Sequence, residues 1–556
     1  MNTLTIDENL NFIVNRYVRN ELLPYVKKEL PKFRAMCKQI DERAKHTDRE
    51  GQPKLIKYDK FGNDISEVWV NEGYRQTIKE TYNTGIVGYL HKNIPELNQR
   101  GSYHFSYAQG YLLSQVEPGF YCPVTLTMAT AYLVEKYANE KLKERYLPHL
   151  LSTGDVELYE GATFLTERQG GSDVGANEVM AKKEGEYYRI YGEKYFASNV
   201  GMCGVAAVLA RLEGAEKGTK GLSLFLVPWQ KDDGSKNDIQ VRRLKDKLGV
   251  RAVPSGEVVF EGATAFLIGE AEKGFYYMME ALNLSRVCNA IASVGIMRRA
   301  YDEAVNYTHD RKAFGRQLSE YPMVRETLMD LLARQEVETS ACFKTIEGFE
   351  SLIKKDKQGS MREEALNRLY IALIKMRTAE EAIAFSHEAI ELHGGNGYIE
   401  DFVTPRLLRD AQVLTVWEGT ENILALEVLR LIEKFQVDEL FIDEMNDLLH
   451  QLPSHFQRHI NKLKKIIVEL SELSKAVKGT TSDLQTFHAK KIANLMADIY
   501  LSVVALEDAM MDPVRKWKIA DIFLEQMWGN EGFNPVPAVL RHFDELLNHT
   551  QSDHLV

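Results

Sequence analysis

The spacing of apolar residues changes character along this chain, and no single layered fold accommodates all of it. From about Leu10 to His149 apolar residues recur with helical spacing, as in Tyr132, Leu133, Tyr137 and Leu142 with charges between them. The stretch Lys54–Glu67 breaks that pattern with turn formers and reads as a loop. From about Leu158 to Gly274 the period drops toward two. Runs such as Tyr187–Tyr191, Val205–Ala210, Leu222–Val227 and Glu257–Phe260 are rich in β-branched and aromatic residues, separated by Gly, Asn and Asp clusters. They are too closely spaced for crossover helices, which predicts an antiparallel barrel or sandwich. Helical spacing returns at Phe275 and runs through Leu284–His309, Met323–Leu352 and Ala365–Leu392. It breaks at His393–Gly397 and resumes near Asn422, the pattern of an up-and-down bundle. From about Phe435 to Val556 the chain is again helical, with Pro453, Pro513, Pro535 and Pro537 as predicted boundaries. At 556 residues the chain far exceeds the size at which one core stops growing, roughly 250–300 residues, so several domains are expected.

Charge and cysteine usage narrow the classes. A formal charge of -11 disfavours nonspecific attraction to phosphate backbones or anionic lipid. The five cysteines (Cys37, Cys122, Cys203, Cys288, Cys342) are scattered without a CxxC, as in a reduced cytosolic protein. The first residues, MNTLTIDENLNF, lack the pattern of a signal peptide. The charge-free stretch Pro118–Val134 contains Pro123, falls short of the ~20 residues of a membrane span, and reads as a buried helix. The expected setting is cytoplasmic.

Five segments are candidates for chemistry. Leu414–Ile423, LTVWEGTENI, sets Glu418 among apolar neighbours, where loss of water would raise a carboxyl pKa toward neutrality and suit it to proton abstraction. A half-buried glutamate relieved by a partner or by solvent is the alternative. Thr163–Asp173, TFLTERQGGSD, puts adjacent glycines between hydroxyl and carboxyl residues, fit for an anion or for a plain tight turn. Gly192–Asn199, GEKYFASN, sets Phe196 and Ser198 on one face of a strand, fit for a planar ring with a polar edge or for a barrel interior. His309–Gln317, HDRKAFGRQ, groups Arg311, Lys312 and Arg316 beside Phe314, either a pyrophosphate grip or a helix terminus with complementary cations. Glu391–Tyr398, ELHGGNGY, is a glycine turn that approaches something closely or caps a helix. No GxGxxG follows a strand and no GxxxxGK[ST] occurs. In HEAIELH the two histidines His387 and His393 lie about 240° apart on an ideal helix, which excludes the paired-histidine metal site.

In this order, these segments resemble the acyl-CoA dehydrogenase family. Its TExxxGSD motif resembles Thr166–Asp173, its K-[WYF]-x-[IA]-[TS]-N strand Lys194–Asn199, and its KxGxRxS turn Lys247–Arg251, with a lengthened step to Ser255. Its RxxFG matches Arg311, Phe314 and Gly315, its GGxGY Gly394–Tyr398, and its [YW]-E-G-T Trp417–Thr420. Tyr58, Asp59, Gly62, CPVTLTM at Cys122–Met128, TERQGGSD and LKDKLGVR are similar to the alkylation-response, AidB-like branch, as is the extra carboxy-terminal region.

The resemblance implies an α+β multidomain architecture: an N-terminal helical domain over residues 1–157, a central antiparallel β-barrel over 158–275, a four-helix bundle over 276–434 and an extra helical domain over 435–556. It implies FAD as cofactor and an acyl-CoA thioester as substrate. Glu418 would remove the α-proton while the β-hydrogen leaves as hydride to flavin N5. Thr163, Leu165, Thr166, Gly171, Ser172, Phe196, Ser198, Trp417, Thr420 and Asn422 would contact the cofactor. Arg311 and Phe314, with Gly394 and Gly395, would serve its distal half, Arg311 and Phe314 in a neighbouring subunit. Ser172, Arg286 and Gly419 would meet substrate. Ser285 stands where some relatives carry the base and cannot serve. The chain departs from the pattern at Glu391 for a common Gln, Ala313 for a common Thr and Phe196 for the usual Trp. A homo-oligomer, a dimer of dimers, follows from shared cofactor sites, with an electron-transfer flavoprotein among the possible acceptors in fatty acid metabolism.

Two rival functions stand beside the dehydrogenase. One is an AidB-like flavoprotein associated with nucleic acid and alkylation response; the other is an acyl-CoA oxidase. Against DNA as a partner, residues 440–556 hold 12 Lys+Arg and 16 Asp+Glu, a net of -4.

Overall fold

The computed structural model describes residues 7–355, 360–529 and 536–547. The chain forms two compact units, Pro24–Cys288 and Met1–Leu23 together with Asn289–Val556. Helix α1 (Glu8–Tyr17) belongs to the second of these.

The first unit opens with α2 (Leu23–Asp48), a hairpin of β1 (Lys54–Tyr58) and β2 (Asp64–Trp69), α3 (Glu72–Asn83) and a short ladder of β3 (Asn93–Ile94) and β4 (Gln99–Arg100). Then come α4 (Tyr103–Ser114), α5 (Pro118–Tyr137) and α6 (Glu140–Leu150). The hairpin corrects the expectation of a loop at Lys54–Glu67. The turn formers there are confined to its tip, where the Asp59 carboxylate accepts the amides of Phe61 at 2.8 Å and Asn63 at 2.9 Å and Gly62 takes φ 85°. Helix α5 is buried at nearly every position, which is why its sequence lacks a polar stripe. Among the described residues no helix is long and apolar enough to cross a membrane.

The barrel follows: β5 (Glu160–Phe164), β6 (Met180–Glu184), β7 (Tyr187–Ser198), β8 (Cys203–Leu212), β9 (Leu222–Pro228), β10 (Ile239–Leu244) and β11 (Ser255–Ile268). Pairings β7–β6, β6–β8, β8–β9, β9–β11 and β11–β7 close a ring, with β5 added on β8 and β10 on β11. The β5–β8 and β6–β8 pairs run parallel and the rest antiparallel. Phe164, Ile190, Val208, Phe225, Val241 and Phe260 are among the side chains that fill the interior. Strands β7 and β11 outrun their apolar runs because glycines continue them through bends: Gly192 at φ 122° faces Phe260, and Gly262 at φ 94° sits at a register shift.

The second unit takes up α7 (Gly274–Asp310) from Asn289 onward, the two-residue hairpin β12 (Lys312–Ala313) and β13 (Arg316–Gln317), α8 (Pro322–Lys355), α9 (Met361–His393), α10 (Thr404–Leu414) and α11 (Glu421–Phe435). Helix α10 corrects the expectation of a break between Gly397 and Asn422: its buried Leu407, Ala411 and Leu414 recur with helical spacing. Its Pro405 reads as a breaker but occupies the first turn, where its missing N–H costs nothing. Beyond these come α12 (Val437–Gln451), α13 (Gln457–Lys478), α14 (Ser482–Met511), α15 (Arg515–Trp528) and α16 (Ala538–Leu547), with α14 packed on α8, α9 and α11 and α15 on α8.

A buried charged knot ties α1, α8 and α15. Glu336 is fully buried, with Lys516 Nζ at 2.8 Å and Arg515 also bonded to its carboxylate, and its main-chain carbonyl accepts from Asn9 Nδ2 at 3.1 Å. Burial alone would raise the Glu336 carboxyl; Arg515 and Lys516 override it and hold it down at about 2. Its contribution is therefore complete above the ordinary glutamate range and is lost as pH falls toward 2. Lys516→Met should destabilise the unit by about 3–5 kcal/mol at neutral pH, because it strips one partner from a buried carboxylate. Urea denaturation followed by circular dichroism measures this; an unchanged midpoint would remove the knot from the account.

Candidate active site

The candidate residues fall into three clusters. In the first unit, residues 165–179 are folded against β7 by a buried ion pair. Lys194 Nζ donates to Glu167 Oε1 at 2.7 Å and to the Leu165 carbonyl at 3.1 Å. Glu167 in turn accepts the amides of Glu178 at 2.6 Å and Val179 at 3.2 Å. Burial pushes the Lys194 ammonium down to about 8, opposed by Glu167. Asn177 Nδ2 donates to Leu165 O at 2.8 Å, and the Tyr195 amide to Thr166 O at 3.0 Å, so Thr163–Ser172 and Phe196–Ser198 share one surface. Gly171 lies so close to Thr166 that a Cβ would meet its hydroxyl at 2.6 Å, and a larger residue would require the Thr166 side chain to move. Ser172 is exposed.

On β7, Tyr195 and Phe196 together oppose Glu257, a bulge that turns the Phe196 ring outward to 57% exposure. The Lys245 ammonium lies 4.9 Å from that ring's centre. Ser198 Oγ is 3.2 Å from Ser255 Oγ, its register partner across β11. The lengthened step after Arg251 thus still sets Ser255 opposite Ser198. Lys247 holds the turn by donating to the carbonyls of Val250 at 2.7 Å and Val253 at 2.5 Å. Arg286 is 4% exposed and donates to Asn283 Oδ1 at 3.3 Å.

The second cluster gathers one end of α7 and of α9. Tyr307 stacks on His393 at 4.2 Å and accepts from Asn396 Nδ2 at 3.0 Å, bringing Arg311 and Phe314 to the same end as Gly394 and Gly395. Phe314 tips the β12–β13 hairpin at φ 49° with Gly315 at φ 83°, the positive pair a tight hairpin requires, and is 97% exposed. Gly394 and Gly395 have open space where a Cβ would stand. Gly397 does not: a Cβ there would meet Ile390 O at 2.5 Å. Of the alternatives for this turn, the structure shows the cap of α9, with Gly394 and Gly395 facing outward.

The third cluster is the link at residues 415–420 between α10 and α11. Glu418 is half-buried, and its φ of 61° is one a side chain rarely adopts, at a cost on the order of 1 kcal/mol. Gly419 follows at φ 106°. The Leu414 carbonyl accepts from Asn289 Nδ2 at 3.2 Å and the Gly419 carbonyl from Lys375 Nζ at 2.5 Å. Trp417 is half-buried, Thr420 is the exposed N-cap of α11, and Asn422 is exposed in its first turn. Lys375 lies about 27 Å along α9 from His393 at 1.5 Å per residue, so the Glu418 link and the Arg311 end are separate places. Lys375 and Asn289 carry no motif in the sequence. The one available signal is a lysine on a buried, mostly apolar face, flanked by Ile371, Ala372, Thr378 and Ala379.

In the carboxy-terminal region the basic side chains Lys462, Lys490, Arg515, Lys516 and Lys518 bond within the chain. Lys462 caps the carbonyls of Trp528 at 2.6 Å and Gly529 at 2.5 Å, Lys490 pairs with Glu421 at 3.0 Å, and Lys518 pairs with Glu545. A cavity of ≈ 200 Å³ among α11, α13 and α14, lined by Ile432, Val477, Lys478 and Ile492 among others, includes none of the candidate residues. Among the described residues no group of His, Cys, Asp and Glu is placed to hold a metal ion.

Comparison with known proteins fits this arrangement. Residues 1–154 match the adaptive response protein AidB N-terminal domain, 162–263 the acyl-CoA dehydrogenase middle domain and 272–432 the acyl-CoA dehydrogenase C-terminal domain. The chain is 32% identical over 392 residues to the putative acyl-CoA dehydrogenase AidB of Escherichia coli K12, covering 69% of each. It belongs to the acyl-CoA dehydrogenase family. Acyl-CoA dehydrogenase family member 11 of Caenorhabditis elegans is 30% identical over 494 residues, covering 84% of this chain and 78% of that one. The crystal structure of C. elegans ACDH-11 in complex with C11-CoA superposes with a TM-score of 0.84 at 26% identity, over 94% of this chain and 90% of that one.

Behind the first cluster, this family member carries a buried carboxyl. Glu160, 3% exposed at the start of β5, accepts from Tyr82 Oη at 3.0 Å, and Tyr82 Oη lies 2.8 Å from Thr127 Oγ1. Burial pushes Glu160 up to about 7, against the opposing bonds from Tyr82 and Asn199. A carboxyl raised on folding favours the protonated native state, so stability is full below the ordinary glutamate range and falls as pH rises through 7. Above that pH the penalty is about 3 kcal/mol. Glu160→Gln should therefore raise the thermal midpoint at pH 8 and leave it nearly unchanged at pH 4.5. Equal shifts at both pH values would contradict this.

Proposed function

We propose that this chain is an FAD-dependent acyl-CoA dehydrogenase that converts an acyl-CoA thioester to the trans-2-enoyl-CoA, with Glu418 as the general base. The observation that carries the reading is a half-buried glutamate held in a left-handed link whose flanking carbonyls are bonded by buried side chains. Members of this family are generally FAD-dependent oxidoreductases, and the binding of C11-CoA by ACDH-11 supports an acyl-CoA as substrate.

The residues suit the cofactor. The outward ring of Phe196, the half-buried Ser198 hydroxyl, the Thr166–Gly171 contact and the exposed Ser172 offer a flat apolar face beside hydroxyl donors. Thr163, Leu165, Thr166, Gly171, Ser172, Phe196, Ser198, Trp417, Thr420 and Asn422 are assigned to the cofactor. Arg311, Phe314, Gly394 and Gly395 are assigned to its distal half, the first two in a second copy of the chain, and the 97% exposure of Phe314 supports that. The chemistry FAD supplies when bound is acceptance of a hydride. Glu418 takes the α-proton at its carboxylate, and the main-chain amide beside it stabilises the developing thioester oxyanion. Gly419 and Ser172 border the thioester. Arg286 is assigned to the substrate. The four-part division at residues 157, 275 and 434, a dimer of dimers, a flavoprotein electron acceptor and a cytoplasmic setting complete the proposal.

The second reading, an AidB-like protein whose task is nucleic-acid association, has the N-terminal match in its favour. Against it stand the acidic composition of residues 440–556 and the internal pairing of Lys462, Lys490, Arg515, Lys516 and Lys518. In a shift assay at physiological salt we expect only weak, salt-sensitive DNA binding, in the range of about 10⁻⁶–10⁻⁴ M typical of nonspecific contacts. Submicromolar affinity would favour the second reading.

Purified protein should be yellow, and Glu418→Gln should keep the colour while losing about 100-fold or more in turnover. Anaerobic titration with thioesters of increasing length, following flavin bleaching, reads both the activity and the chain length. Normal turnover by the Glu418→Gln variant would overturn the assignment of the base.

A further inference from the structure

The link carrying Glu418 is tied down at both ends by side chains from other helices. Asn289 of α7, 5% exposed, donates to the Leu414 carbonyl just before the link. Lys375 of α9, 1% exposed, donates to the Gly419 carbonyl immediately after Glu418, from a position 44 residues earlier in the chain. A buried ammonium is unfavourable unless it is bonded, and a neutral residue at this position would continue the uncharged buried stripe of Ile371, Ala372, Thr378 and Ala379. Retaining a lysine there keeps the peptide after Glu418 in one orientation. That peptide needs holding, because Glu418 sits at positive φ, a strained conformation for a residue with a side chain, and the Gly419 that follows leaves the chain free to move.

We infer that Lys375 is a positioning residue for the Glu418 link: its buried ammonium, bonded to the Gly419 carbonyl, fixes the backbone from which the Glu418 carboxylate is presented. The inference rests on the reading of Glu418 as base, and its structural half stands apart from that reading. Lys375 acts through the main chain. It has no assigned contact with substrate or cofactor, so its loss lowers the rate of the chemical step rather than the binding of thioester.

The test compares the full-length chain with Lys375→Met, Lys375→Arg and Glu418→Gln by hydrogen exchange and by steady-state kinetics with straight-chain acyl-CoA thioesters. In Lys375→Met, amides of residues 415–420 should exchange roughly tenfold faster or more, the effect of losing one hydrogen bond to a charged group, while barrel amides are unchanged. kcat should fall by a similar factor with KM nearly unchanged, and Lys375→Arg, which restores a cationic donor, should recover most of both. Should Lys375→Met not fold, Lys375→Gln, which retains a neutral donor, is read the same way. Exchange at 415–420 indistinguishable from the unaltered chain overturns the inference. Accelerated exchange with normal turnover by Glu418→Gln upholds the clamp and overturns the base, so the two failures are separable.

Discussion

A lysine ammonium inside an apolar helix face, bonded to the carbonyl that follows Glu418, is the contact on which the functional account depends. Without it, the link between α10 and α11 is a short turn with two consecutive left-handed residues and no regular secondary structure to hold it. With it, and with Asn289 at the opposite end, a strained backbone is kept in a single shape by groups that belong to the helical core. Positioning from rigid helices is what a general base requires, since misplacement by a fraction of an ångström weakens proton transfer.

The same physical device recurs away from that link. Lys194 turns inward to Glu167 and a main-chain carbonyl, and so folds residues 165–179 against the strand that carries Phe196 and Ser198. Lys516 and Arg515 turn inward to Glu336 and join α15 to α8. Cations used in this way contribute to architecture and not to an external electrostatic field.

Much of the plan was legible in the residue pattern because period and burial coincide. The long helices α7, α8 and α9, the barrel strands and the break at His393–Gly397 each follow from apolar spacing. What escaped detection has specific causes. The β1–β2 hairpin was hidden by turn formers at its tip, and α10 by a proline in its first turn. Strands β7 and β11 read as short because glycines carry them through bends. Of the candidate site, Thr166–Asp173, Lys194–Asn199 and Glu418 stand out in the sequence, since each joins unusual residue types over a few positions. Lys375 and Asn289 do not, because their partners are main-chain carbonyls remote in sequence, and a carbonyl has no signature in the letters.

The most direct measurement is incorporation of solvent deuterium at the α-carbon of a saturated acyl-CoA thioester incubated with the flavin-bound protein in D₂O. If Glu418 is the proton acceptor, the unaltered chain incorporates deuterium at that carbon and the Glu418→Gln variant does not. Equal incorporation by both proteins, or none by the unaltered chain, would contradict the account.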